Sequence, residues 1–100
     1  MELIFLALAE QDIERIADYI AQDNPRRSLT FVRELREQCR KIMRAPRAYQ
    51  PRPELAHGLR SCPYGNYLIF FTTDDHVVKI VRVLHGAMDT EGVFERTVLR

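Results

Sequence analysis

One hundred residues with a formal net charge of +1 make one small domain rather than two, residues 1–100. Apolar residues at 46% and charged residues at 29% are ordinary for a globular chain, and there are no repeats, low-complexity runs or linkers. Nothing approaches a transmembrane span, and residues 1–8 lack the basic start and long apolar run of a signal peptide, so the expected setting is the cytoplasm without membrane contact.

In chain order, residues 2–6 are short and apolar-rich and read as a strand. Ala9, Ile13, Ile16, Ala17 and Ile20 then recur at helical spacing, which predicts an amphipathic helix over residues 8–23. Asn24 and Pro25 end it and start the next, with Asn24 as N-cap and Pro25 in the first helical position. Leu29, Val32, Leu35, Cys39 and Ile42 stripe this second helix, which stops before Pro46. So short a join makes the two helices an antiparallel hairpin. Residues 46–53 hold three prolines and no period, and read as an ordered loop returning to the sheet. Residues 58–62, 67–72 and 76–84 are strands, separated by turns at 63–66 and 73–75. The expected fold is α+β with two layers. Its order is β-α-α-β-β-β, with the helical hairpin on one face of a mainly antiparallel four-stranded sheet. Residues past 89 carry weak signals and are expected to fray.

Two helices cover one face of such a sheet. An uncovered face should alternate polar with apolar residues. Instead Tyr67, Ile69 and Phe71 point one way while Leu68 and Phe70 point the other, and Val77, Val81 and Val83 oppose Val78, Ile80 and Leu84. Something should therefore cover the second face: a second copy, a partner peptide, or the chain's own tail with Val93, Phe94, Val98 and Leu99 as plugs.

Charge is unevenly spread. Residues 1–25 carry one Arg against six acids, residues 26–60 carry ten Lys or Arg against three acids, and residues 61–100 carry four against five. The basic middle can meet a phosphate backbone or an acidic protein surface, or it can be a solvated helix face balanced by the acidic first helix.

Most chemistries find no support. Cys39 and Cys62 lack metal-type spacing and read as reduced core thiols rather than a disulfide. His57, His76 and His85 are scattered, so no metal or other cofactor is expected. The glycines form no phosphate loop, and neither Ser28 nor Ser61 sits in a nucleophile elbow. Glu10, Asp12, Glu14 and Asp18 lie mostly on the outer face of the first helix and read as solvated charges. RNA cleavage without metal needs a general acid and base with a cation over the phosphate. Arg60, Arg82 and His85 would supply these if their strands were neighbours. The alternative for Arg82 is structural. An Arg among Val and Ile needs an acid, and Asp89 is the expected partner.

GNYLIFF, a two-acid turn and VKIVRVLHGAMD together resemble the strand meander of ParE toxins, a branch of the RelE/ParE superfamily. PELAHGLRS before them, with Gly58-Leu59-Arg60, is similar to the same group, as is the opening strand and helix with Asp12, Ile13, Ile16, Tyr19 and Ile20 before Asn24-Pro25. The resemblance spans about residues 2–90 and implies a sheet backed by a helical hairpin. It implies a type II toxin–antitoxin protein that inhibits DNA gyrase by contact rather than catalysis, so blocking replication. It further implies a hetero-oligomer with a cognate ParD-like antitoxin, whose ribbon-helix-helix half binds DNA, so that DNA is reached through the antitoxin. Antitoxin contact is expected at Leu68, Phe70, Arg33, Arg36 and Arg40, and target contact at Arg60, Arg82, Met88 and Asp89. The RelE branch, whose members cut mRNA, is the alternative. RelE proteins carry a Tyr or His near the C-terminus, which is lacking here after His85. The chain also has Met88 where ParE members often have Arg. An inactive interaction module is the third possibility.

Overall fold

The computed structural model describes residues 1–96. Strand β1 (Glu2–Phe5) leads into helix α1 (Ala7–Asp23) and helix α2 (Pro25–Ile42). Asn24 takes the N-cap position of α2, its side chain accepting from the Arg27 N–H, and Pro25 follows where no donor is needed. After α2 come a 3-10 turn at Pro46–Ala48, strand β2 (Gln50–Pro51), β3 (Arg60–Tyr64), β4 (Tyr67–Thr73), β5 (Val77–His85) and a short helix α3 (Thr90–Arg96).

The sheet has five strands in the order β1-β5-β4-β3-β2, one more than the sequence led us to expect. The extra strand is two residues of the proline loop pairing with β3 at the sheet edge, where Pro51 can lack its N–H without breaking a ladder. β1 runs parallel to β5 and the other pairs are antiparallel. The β3–β4 hairpin turns on Gly65 and Asn66, with Gly65 alone at positive φ (57°). That is the pattern of a type II′ turn, whose twist suits the flanking strands.

Two cores result, one on each side of the sheet. The helix side gathers Ala9, Ile13, Ile16, Phe31, Leu35, Cys39 and Ile42 against Ile69, Phe71, Val78, Ile80 and Val83. The α2 stripe is rotated from expectation: Phe31 is buried under Tyr64 and Tyr67, whereas Leu29 is 71% exposed. Ser28 explains the shift. It sits at the helix crossing, where its hydroxyl donates to the Ala17 carbonyl at 2.6 Å, and this fixes which face of α2 points inward. Both cysteines are buried free thiols, and burial pushes Cys39 up to about 12.

The second side holds Leu59, Phe70, Val81 and Leu84, covered by Val93 and Phe94 of α3 and by Leu55 and Ala56 of the loop before β3. Of the three possible covers, the tail is the one the structure shows. Residues 90–96 are a docked helix rather than frayed chain, and Phe94 meets Phe70 edge-on at 4.9 Å. Val98 and Leu99 lie outside the described residues.

Candidate functional site

β5 carries a register break that reorganises the expected site. Phe71 pairs with Ile80 but Phe70 pairs with Arg82, so Val81 is an extra residue, a β-bulge. The bulge shifts the alternation along β5. Val78, Ile80 and Val83 join the helix-side core, while Val81 and Leu84 join the other, not the grouping that simple alternation implies. Arg82 lies just past the bulge.

β1 ends at Phe5, and its last contact is the Leu6 N–H donating to the Ile80 carbonyl. Beyond that point the edge of β5 has no neighbouring strand, and α1 runs past it. Asp12 fills the gap. Its carboxylate accepts from Arg82 Nε at 2.7 Å, from Arg82 Nη2 at 2.9 Å and from the Val83 N–H at 2.9 Å. Asp12 is 2% exposed and the Arg82 side chain 13%. Arg82 is thus mostly buried, as expected, but its acid is Asp12 and not Asp89. Asp12 is likewise no solvated charge. Asp89 lies beyond the end of β5 and accepts from the Gly92 N–H instead, capping α3.

Arg60, Arg82 and His85 do not converge. β3 and β5 are not neighbours, because β4 runs between them. Arg60 donates to the carbonyls of Tyr49 (2.7 Å) and Arg47 (3.3 Å), tying β3 to the loop beside β2, and lines an open depression of about 170 Å³ with Arg47, Gly58 and Thr73. Arg82 turns the other way, to α1. His85 is exposed, packs edge-on against Tyr67 at 5.4 Å, and its Nδ1 accepts from the Ala87 N–H, so the ring holds the turn after β5. The target quartet is split in the same way: Arg60 aligns with Phe71 and Ile80, while exposed Met88 and Asp89 follow the far end of β5.

The expected antitoxin residues are also separated. Leu68 is half-buried and lines an open depression of about 420 Å³ with Tyr67, His85 and Gly86. Phe70 is fully buried beneath α3. On α2, Arg36 clasps Glu10 with two bonds of 3.0 and 2.9 Å, and this holds the Glu10 carboxyl below its ordinary range. Arg40 pairs with Glu37, and Arg33 is exposed with no ion pair among the described residues.

Asp12 is the residue the sequence reading missed. A signal was present: Asp12 sits three residues after Ala9 and four before Ile16, on the buried arc of α1 where a solvated acid does not belong. Among the described residues no three His, Cys, Asp or Glu side chains gather as a metal site, and no helix is long and apolar enough to cross a membrane.

A family model described as the ParE toxin of type II toxin–antitoxin systems, parDE, matches residues 3–90. Among solved structures, a chain of the chromosomal ParDE toxin–antitoxin system from P. aeruginosa superposes with a TM-score of 0.74 at 20% identity, over 85% of this chain and 95% of that one. At that identity the likeness is one of fold. No curated protein sequence matches the chain.

Proposed function

Because the chain belongs to the ParE toxin family of type II toxin–antitoxin systems, we propose that it inhibits DNA gyrase by protein–protein contact and is held inactive by a cognate ParD-like antitoxin. The observation that carries this choice over RNA cleavage is the dispersal of Arg60, Arg82 and His85. Phosphoryl-transfer chemistry needs its acid, base and cation around one phosphate. Here the three side chains are spent on the Arg47 and Tyr49 carbonyls, on Asp12 and on the Ala87 N–H. The exposed groups left near the end of β5, Met88 and the His85 ring that packs on half-buried Tyr67, are those of a contact surface.

The antitoxin docks on the second face of the sheet. It reaches Leu68 through the open depression beside the β3–β4 turn. It reaches Phe70 only where α3 gives way, since Phe94 now occupies that place. A seven-residue helix anchored by two buried side chains is a weak cover, and a longer amphipathic segment burying more apolar area displaces it.

The test is a pair of assays on the purified protein. Supercoiling by gyrase should fall on its addition and recover when antitoxin is supplied, while mRNA in a translating extract stays intact. Ribosome-dependent cleavage with supercoiling untouched would place the chain with the RelE ribonucleases.

A further inference from the structure

The ion pairs divide the basic middle of the chain into two groups. Arg27, Arg36, Arg40, Arg47 and Arg52 each meet a carboxylate, and Arg60 is held by main-chain carbonyls. Arg26, Arg33, Lys41 and Arg44 are exposed and make no ion pair among the described residues. All four lie on α2 or in the turn that continues it, where the Arg44 N–H donates to the Lys41 carbonyl.

At 3.6 residues per turn these four and Arg40 share about a third of the helix circumference, opposite the buried Ser28, Phe31, Leu35, Cys39 and Ile42. At 1.5 Å per residue the array from Arg26 to Arg44 is about 27 Å long. Glu37, bound to Arg40, is the carboxylate among them.

The chemistry of this stripe selects its occupant. The centre of a protein–protein interface is depleted of charge and built on aromatic or aliphatic anchors. Here the large apolar side chain beside the cations is Leu29, at the margin of the stripe. A row of arginines without an apolar centre instead suits a polyanion whose charges repeat, and the guanidinium fork matches phosphate. A helix side fits along the wide major groove of B-form DNA, whereas the deep, narrow groove of A-form RNA does not admit it. We propose that the outer face of α2 is a second binding surface, which takes the phosphate backbone of duplex DNA without reading its sequence. This goes beyond contact with gyrase and does not depend on it. Glu14 and Asp18, exposed on the neighbouring helix, limit the attraction and keep the affinity in the non-specific range.

The experiment is fluorescence anisotropy of a short, labelled, mixed-sequence duplex against the purified protein over a salt series. Four phosphate contacts predict a slope near −3.6 in log affinity against log salt, on the order of a 100-fold loss between about 50 and 200 mM. The triple variant Arg26→Gln/Arg33→Gln/Arg44→Gln should flatten that slope to about −1. Lys79→Gln, an exposed cation on β5, should leave it unchanged. Far-UV circular dichroism checks that each variant is folded. Should the triple variant not fold, the wild-type slope with DNA compared with poly-glutamate decides alone. The proposal is overturned if the wild type fails to bind duplex at low salt, if the folded triple variant keeps the wild-type slope, or if poly-glutamate competes as well as DNA per unit charge. That last result would assign the face to an acidic protein.

Discussion

The pair between Asp12 and Arg82 makes the sharpest demand on stability. Asp12→Ala removes a carboxylate that accepts from both Arg82 nitrogens and from the Val83 N–H, in a place that is 2% exposed. It strands a guanidinium that is 13% exposed and cannot shed its proton. Breaking a buried pair from one side costs about 3–5 kcal/mol, and an orphaned main-chain donor adds on the order of 1 kcal/mol. Arg15, 71% exposed, is too solvated to compensate. For a domain of this size a kcal/mol is worth about 4–8 °C, so Asp12→Ala should lower the melting temperature by at least about 12 °C. Arg82→Leu should do less damage than Arg82→Ala, because leucine refills part of the volume. Asp12→Leu/Arg82→Leu should cost less than its two single changes added together, with a coupling of roughly 1–3 kcal/mol. Thermal melts and urea titrations of the protein without antitoxin measure all of these. If Asp12→Ala melts within about 4 °C of wild type, the pair contributes under about 1 kcal/mol and the reasoning fails.

Other outcomes follow from the same contacts. Phe94→Ala removes an edge-on ring contact and up to about 3–5 kcal/mol of packing. The loss should appear as faster amide exchange in residues 90–96 with β4 and β5 still protected and, if the antitoxin displaces α3 as proposed, as tighter antitoxin binding; wild-type protection in α3 would contradict the docking account. Asp89→Ala deletes the cap on the Gly92 N–H and should cost α3 about 1 kcal/mol, read by the same exchange experiment. Cys39 is raised from an ordinary 9.0 to about 12 by burial, so the folded state holds the thiol protonated. Its contribution is therefore complete below 9.0 and is lost as pH rises from there towards about 12, and the native thiol should resist a disulfide reagent until the protein is denatured. Rapid modification under native conditions would show that Cys39 is not buried.

Local pattern was enough for the opening strand, the helical hairpin and the three-strand meander, in that order. Helical spacing from Ala9 to Ile20, the Asn24-Pro25 junction and the turns around Gly65 and Asp74 each act within a few residues, and the structure keeps all of them. The doubly apolar β4 was legible for the same reason, since alternation is a property of one strand. It correctly required a cover on the second face, although it could not say that α3 supplies it. What pattern could not supply depends on which segments meet. A two-residue edge strand at Gln50–Pro51 exists only because β3 is there to pair with it. α3 has too few apolar residues to form alone, and it is held by Phe70 from another strand. The rotation of α2 that buries Phe31 and exposes Leu29 was settled by the close crossing at Ser28. The bulge at Val81 moved Arg82 out of step with its strand, and the early end of β1 left a backbone edge open. Seventy residues of chain separate Asp12 from Arg82. The sequence shows each as a misplaced charge, an acid on a buried helix arc and a cation on an apolar strand. Only the fold, by running α1 past the unpaired edge of β5, brings the two together, because a buried charge must find its opposite wherever the chain has carried it.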